Sequence, residues 1–380
     1  MGRVLRAEAL IIGAGPSGAA LATWLGEQGW DCLLVDKARF PRRKPCAGCF
    51  SARAFPFLKS LGLESTVRGG QPIRFVHAQT PHRSLRFDTE TDPEGPLFYV
   101  FPREEFDHQL VERARASSVR VLEGAGVDRL LQGERGVEGA RAGDTEIRAG
   151  VTVVATGAAF RFLPPEPRRD MRSYQALIGW FEGLADPDPL TTDSFTAPWL
   201  LGSGWIFPES EKRANVGIMV HEDRLRSSRA NLRRLFEAYC ESPWARERLQ
   251  GARRVGRLEG SPIRYTLRPR GIYGDRFIMV GEANLLTHPL SGEGISQALR
   301  SAWLAAEVLT EARRAGTFDR EALAPYSLEI ETRFQRNFRK AVFLRRWLDW
   351  PLPVETAMKI IQARPGMRRW LEERFHRIVL

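Results

Sequence analysis

Glu8–Asp36, EALIIGAGPSGAALATWLGEQGWDCLLVD, is the stretch whose reading decides the fold. An apolar run of strand length, Ala9–Ile12, leads into Gly13, Gly15 and Gly18 at G-x-G-x-x-G spacing. A small-residue helix start follows, Ala19–Leu25, and then a second apolar strand, Cys32–Val35, closed by Asp36. Each part has a physical role. Gly13 permits a tight turn, Gly15 lets backbone approach a pyrophosphate, and Gly18 lets helix pack on strand. The helix N-terminus offers free N–H groups and partial positive charge to the phosphates. Asp36, about twenty residues on, is placed to accept a ribose hydroxyl. Strand, glycine turn, helix and acid together predict a dinucleotide site. Its cofactor-binding candidates here are Gly13, Gly15, Pro16, Ser17, Gly18, Asp36 and the adjoining Lys37.

Working outward, 380 residues allow two domains, or one large domain with an insertion. A chain 43% hydrophobic and 27% charged reads as soluble and globular. No apolar run reaches membrane-spanning length, and Met1–Arg6 leads straight into the first strand, so neither a transmembrane helix nor a signal peptide is expected. Four cysteines without framework spacing point to a reducing, cytoplasmic setting. The net charge of +11 comes with no nucleic-acid module, so no nucleic acid is expected as a partner. Attraction to an anionic membrane or substrate, and a merely arginine-rich solvated surface, stay open.

Beyond Asp36, a basic, proline-broken loop holds Lys44, Cys46 and Cys49, and Ser51–Leu61 reads as a helix with Ser51 as N-cap. The C-x-x-C spacing suggests metal or dithiol chemistry. It lacks a second ligand pair, and His77 and His82 stand alone, so no metal is expected. The middle alternates like antiparallel sheet at Pro72–Ala78, Ser84–Asp88, Tyr174–Gly183, Ser194–Ala197, Gly204–Phe207 and Ala214–Met219. Thr145–Arg148 and Val151–Ala155 read as separate strands, as do Arg253–Leu258 and Pro262–Tyr265. Helices are predicted at Arg103–Ala116, Ser228–Cys240, Pro243–Gln250, Gly292–Arg313 and Arg320–Lys340.

Phe277–Arg300, FIMVGEANLLTHPLSGEGISQALR, repeats the opening logic: a strand ends at Gly281-Glu282, and Gly292-Glu293-Gly294-Ile295 starts a helix after a loop carrying Pro289. That helix N-terminus suits the negative charge of a reduced flavin, and Glu282 suits a ribityl or ribose hydroxyl. GAGPSG at 13–18, FPREEFDHQL at 101–110, VVATG at 153–157 and GEANLLTHPLSGEGISQAL at 281–299 resemble the flavoprotein superfamily of aromatic hydroxylases, flavin halogenases and geranylgeranyl reductases. The resemblance implies FAD as cofactor. It adds Arg103, Thr156, Gly157, Gly281, Glu282, Pro289, Gly292, Gly294 and Ile295 to the binding set. It also implies an α/β fold like that of p-hydroxybenzoate hydroxylase. Residues 1–70, 98–165 and 270–320 would form a Rossmann-like FAD domain, 71–97 and 166–269 an inserted antiparallel β-rich substrate domain, and 321–380 a helical C-terminal region. Two positions depart from the family: Thr156 stands where it usually has Asp, and Glu282 where the second site usually has Asp.

Lys44-Pro45-Cys46-Ala47-Gly48 is similar to the Cys-x-Gly loop of the geranylgeranyl reductase branch, and Gly204-Trp205-Ile206-Phe207-Pro208 to its Trp-x-Phe-Pro segment. The resemblance implies a reductase that saturates C=C bonds of an apolar, polyprenyl or lipid-like substrate. Trp205, Phe207, Pro208 and Trp199 are its substrate-binding candidates. Phe195 and Trp180 are read as either tunnel wall or sandwich core. Cys46, with Lys44 beside it, is the catalytic candidate, since a thiol of pKa about 8.5 is workable as a proton donor. A small buried hydrophobe is the competing reading of Cys46. A monooxygenase acting on an apolar or aromatic substrate is the alternative. A halogenase ranks below it, because Ser203 replaces the first tryptophan of the halogenase motif, and a non-catalytic flavin-binding protein ranks last. Lacking a second nicotinamide fingerprint, the chain would take electrons from transient NAD(P)H or from a donor protein. Tryptophans and arginines from Phe343 onward suit contact with the inner membrane face, a pocket cover or a dimer contact.

Overall fold

The structure, a computed structural model, describes residues 3–73, 75–79, 83–88, 95–184, 191–193, 202–348 and 351–372. Its largest sheet is built around the strand Val4–Ile12, which pairs in parallel with Thr145–Val154 on one side and Cys32–Asp36 on the other. Phe277–Met279 and Arg120–Glu123 extend the sheet in parallel at either flank. Successive side chains of a strand point to opposite faces. Ile11, Leu34, Val153 and Ile278 therefore enter a core with the helices Pro16–Glu27, Arg103–Ala116 and Ile295–Arg314. Ile12, Val35, Val154 and Met279 enter a second core under the hairpin of Arg129–Gly133 and Gly136–Ala142. The parallel strands thus all end at one edge, where ligands of open α/β sheets bind.

A four-stranded antiparallel sheet lies beside it, in the order Gly202–Ser210, Arg213–His221, Arg172–Glu182, Arg253–Tyr265. Ile206, Val216 and Ile218 face the helices Leu232–Cys240 and Pro243–Arg248, packing on Phe236, Tyr239 and Ala245. The C-terminal region runs from the helix Arg320–Ile330 through a π-turn, Glu331–Gln335, into Arg336–Leu348, followed by Pro351–Ala363 and Pro365–Glu372. No helix among the described residues is long and apolar enough to cross a membrane. The Rossmann-like α/β sheet, antiparallel sheets and helical C-terminus expected from the sequence are all present.

Several local readings are corrected. Thr145–Arg148 and Val151–Ala155 are one strand, Thr145–Val154, because Gly150 lies against Glu8 O and does not break it. Arg253–Tyr265 is likewise continuous across a register shift opposite Ile178 and Trp180, and Pro262 is tolerated because the strand is at the sheet edge. The predicted helix Ser228–Cys240 begins only at Leu232, and a separate helix, Glu222–Ser228, precedes it. Arg229 turns left-handed between them and Asn231 caps the second. The helix expected from Ser51 begins at Phe55 after a 3-10 turn, and the Ser51 hydroxyl caps nothing. The helix expected from Gly292 begins at Ile295, and that from Arg320 runs on through the π-turn to Leu348. Ser194–Ala197 lies outside the described residues.

Candidate functional site

Two helices begin at the open edge of the parallel sheet. Gly15 is the N-cap of Pro16–Glu27 and Gly294 that of Ile295–Arg314, and neither start has a side-chain cap. Their first-turn N–H groups are therefore available. The protein's own packing dictates some neighbouring glycines. A Cβ on Gly18 would sit 1.8 Å from Gly13 O, and one on Gly292, at φ +71, would sit 2.9 Å from Met219 Sδ. Gly15 and Gly294 are different. Both have ordinary negative φ, and an added Cβ would meet nothing closer than Arg42 Nη2 at 3.8 Å or Thr287 Oγ1 at 3.7 Å. The fold leaves room at both helix starts, and room there fits a ligand backed by peptide N–H groups.

At the first helix, Asp107 is fully buried and receives both nitrogens of Arg103, Nε and Nη2, at 2.9 Å, and Arg42 Nη2 at 3.0 Å. Two guanidiniums on one carboxylate leave one surplus positive charge beside Gly15. Burial alone would lower the Arg103 pKa. Asp107 and Cys46, both within hydrogen-bonding reach, instead hold it above the ordinary value. Asp36 accepts from Ala14 N at 2.7 Å and Ala38 N at 2.8 Å, so it pins the glycine turn whatever ribose contact it makes. Lys37 is exposed beside it.

At the second helix, Gly281 packs against Ser17, so a Cβ there would lie 2.6 Å from Ser17 Oγ, and the two sequence stretches meet. Glu282 lies near Gly157. Burial raises its pKa, with Lys44 and Arg264 opposing. It brings a carboxylate next to the turn where Thr156, bonded to Ala159 O, replaces the usual acid. Glu293 accepts from both Ser51 Oγ and Ser296 Oγ, while its other oxygen has no partner among the described residues. Burial pushes this carboxyl up, Ser296, Ser51 and Arg53 opposing. His288 is buried. Its Nδ1 meets Ser291 at 3.0 Å, and its Nε2 has no partner among the described residues. Burial, then Arg53, lowers its pKa to about 4, so it is neutral at pH 7.

The antiparallel sheet closes the site. Residues directly opposite on paired strands share a face, which gives the cross-strand rows Ala176–Met219–Ser203, Ile178–Gly217–Trp205 and Trp180–Asn215–Phe207. Met219 touches Gly292 of the second helix start, and Arg43 stacks on Trp180 at 5.0 Å while pairing with Glu259 at 2.9 Å. The loops 42–46 and 289–294 therefore meet one face at different rows, with Trp205 between them. Trp205 lies over Gly217, stacks on Phe207 at 5.9 Å and donates from Nε1 to Asn215 Oδ1 at 2.9 Å. That bond assigns the amide, and leaves the fully buried Asn215 Nδ2 without a partner among the described residues. Tyr174, further along the face, donates to Pro289 O.

The structure thus gathers Gly13, Gly15, Pro16, Ser17, Gly18, Asp36, Arg103, Gly157, Gly281, Glu282, Pro289, Gly292, Gly294 and Ile295 around one sheet edge. Lys44 and Cys46 lie on the loop beside it. Cys46 and Cys49 are free thiols, and burial, then Glu293, raises the Cys49 pKa. Pro208 needs correction: strand alternation pairs it with Ala214 on the helix-covered face, turned from Trp205 and Phe207. Trp180 belongs to the site-facing wall. Trp199 and Phe195 lie outside the described residues. Sequence reasoning missed Arg42, Asp107, Ser51, Glu293, His288 and Asn215. Only the Arg103–Asp107 pair had a local signal, its i,i+4 spacing on a helix.

Residues 6–159 match the model of a family described as an FAD binding domain. Menaquinone reductase of Mycobacterium tuberculosis is 29% identical over 322 residues, 80% of this chain and 76% of that one. Digeranylgeranylglycerophospholipid reductase 1 of Methanopyrus kandleri is 28% identical over 351 residues, 88% of each chain. A solved geranylgeranyl bacteriochlorophyll reductase-like protein from Thermoplasma acidophilum shares the fold, with a TM-score of 0.80 at 21% identity over 91% of this chain and 88% of that one. Halogenases and monooxygenases also match.

Proposed function

We propose that this FAD-dependent oxidoreductase, which resembles the superfamily of flavin hydroxylases and halogenases, reduces a C=C bond of an apolar, polyprenyl or lipid-like substrate. The wall that carries this reading is the set of rows Ile178–Gly217–Trp205 and Trp180–Asn215–Phe207 between the two loops. On these three strands it is aromatic and aliphatic except for the Asn215 amide, and at the adjoining edge strand Glu259, opposite Ile178, is paired with Arg43, a composition that suits an apolar chain with few polar contacts. The reductases of menaquinone and of a digeranylgeranylglycerophospholipid among the relatives support the same class.

FAD, when bound and reduced, supplies the hydride. The chain's residues do the rest. Gly15 and Gly294 leave space for cofactor at two helix N-termini, and Arg42 and Arg103 add positive charge at the first. Saturation also needs a proton, and the donor candidates on the bounding loops are Cys46 and Glu293, whose carboxyl pKa is raised by burial. Lys44 offsets the charge of Glu282. Trp205 and Phe207 exclude water from the substrate. Electrons arrive from NAD(P)H docking transiently or from a donor protein, in a cytoplasmic setting.

The test is anaerobic reduction of the holoprotein followed by incubation with a panel of polyprenyl compounds and mass analysis. The expected product gains two hydrogens and no oxygen. Incorporation of labelled oxygen under air, with no anaerobic product, overturns the reading in favour of a monooxygenase.

A further inference from the structure

Positive charge is not spread evenly along the chain. Residues 331–380 hold twelve Lys and Arg against five Asp and Glu, which is seven of the net +11. Exposed large apolar side chains concentrate in the same part of the protein. Among the described residues they are Val4, Val255, Leu328, Phe343, Ile360 and Trp370.

The helix Arg336–Leu348 joins the two features on one surface. Its inner face carries Phe338 and Ala341, both buried, with Val342 packed on the site-facing sheet and Arg345 donating to the Tyr174 hydroxyl. At 100° per residue the opposite face carries Arg336, Arg339, Lys340, Phe343 and Arg346, all exposed. Phe343 is 65% exposed at the centre of this stripe. Arg336, Arg339, Lys340 and Arg346 have no acidic partner among the described residues.

We propose that this stripe docks the protein on the surface of an anionic phospholipid bilayer, with Phe343 inserted at the headgroup boundary and the four cations on the lipid phosphates. A helix with an aromatic among arginines and lysines is the composition that lies in such an interface. Unpaired cations gain from anionic lipid what a neutral surface cannot give. The inner face of the same helix ends on Tyr174, which holds Pro289 O of the second cofactor loop. Docking therefore sets the substrate-facing sheet at a fixed place relative to the bilayer. The inference deepens the reading of a lipid-like substrate, but binding is measured without substrate or turnover, so each can fail alone.

The experiment is flotation of the FAD-loaded full chain with vesicles of phosphatidylcholine containing phosphatidylglycerol, against vesicles of phosphatidylcholine alone. Retention of bound flavin reports that each variant is folded. The wild type is expected to float with anionic vesicles at low salt, and to be released at high salt or without anionic lipid. Arg339→Gln with Lys340→Gln is expected to weaken binding about 30-fold, at the usual worth of a cation near the surface. Phe343→Ser is expected to weaken it about 10-fold. The double variant Arg129→Gln, Arg135→Gln, exposed on the far hairpin, should leave binding unchanged. Absence of wild-type flotation overturns the proposal. So does equal loss in the two double variants, which would make the attraction one of net charge alone. Self-association at the same concentrations, abolished by Phe343→Ser with no vesicle binding, would assign the stripe to a second copy instead.

Discussion

The two helix starts share a plan and differ in how their polar groups are satisfied. Around Gly15, Asp36 uses both oxygens on Ala14 and Ala38, and Asp107 is held by two arginines. Around Gly294, Glu293 Oε2, His288 Nε2 and, across the wall, Asn215 Nδ2 are buried without partners among the described residues. An unmatched buried polar group costs about 1–3 kcal/mol, so the second end keeps groups in reserve that the first does not. The first end is a rigid seat. The second holds buried polar groups that a ligand there would satisfy.

The sharpest way to break the comparison is at the rigid seat. Gly18→Ala puts a Cβ 1.8 Å from Gly13 O, where backbone on both sides has nowhere to move. Expression should yield almost no folded, flavin-bearing protein, judged by absorbance after purification. Asp107→Asn comes next. It leaves the largely buried Arg103 and Arg42 without their counter-charge, and breaking a buried pair costs about 3–5 kcal/mol. Denaturant unfolding of the apoprotein should show that loss. A change below about 1 kcal/mol would mean the seat is not prestressed in this way.

At the second end the expected signature is pH. His288 titrates near 6.5 when unfolded and at about 4 when folded. Between those values the unfolded chain binds more protons, so stability rises with pH through that window and is lost in acid, by on the order of 3 kcal/mol. Glu293 has the opposite sign. Its raised pKa contributes stability below about 4.5 that is lost as pH rises through its folded value. His288→Gln should flatten the acid limb of apoprotein stability, measured by unfolding from pH 4 to 7, and Glu293→Gln the other. If wild type and His288→Gln lose stability in parallel between pH 6.5 and 4, His288 is not the buried neutral group described.

Smaller still is the effect that probes what the two ends share. Gly15→Ala and Gly294→Ala meet no atom within 3.7 Å, so apoprotein stability should hold within about 0.5 kcal/mol. FAD affinity should fall about 10- to 100-fold, as when a hydrogen bond to a charged group is lost. Separating fold from binding in this way tests the claim that these two glycines serve the ligand.

What could be read from the sequence follows the same division. The first end is written in backbone and local spacing: a strand, a turn that excludes Cβ at Gly13 and Gly18, and an acid closing the next strand. Such features survive translation into a one-dimensional pattern. The Gly281–Ile295 stretch was legible for the same reason. The Ser51–Glu293 bond joins residues far apart in the chain, and nothing local to either announces it; Ser51 looked like a helix cap. The wall is harder again. The Trp-x-Phe-Pro resemblance grouped Trp205, Phe207 and Pro208, whereas strand alternation sets Trp205 and Phe207 on one face and Pro208 on the other. Which residues lie beside them depends on the register of three strands. Asn215 became visible only once Trp180 and Phe207 were its cross-strand neighbours.

Asn215 also gives the smallest and most selective test. Its carbonyl oxygen is used by Trp205 Nε1, so only its amide nitrogen is in reserve, between aromatic side chains on a wall whose charged pair, Arg43–Glu259, lies at the edge strand. Asn215→Leu removes that unsatisfied donor and also deprives Trp205 of its acceptor. Each change is worth about 1 kcal/mol with opposite sign, so folding stability should barely move. Substrate preference should move instead. A polyprenyl compound bearing a carbonyl or hydroxyl near its reacting end should lose about 5- to 10-fold in kcat/KM, while one with no acceptor there should be unaffected. Equal losses for both would make Asn215 a support for the Trp205 ring and nothing more, and the contrast between a satisfied first end and a reserved second end would then rest on Glu293 and His288 alone.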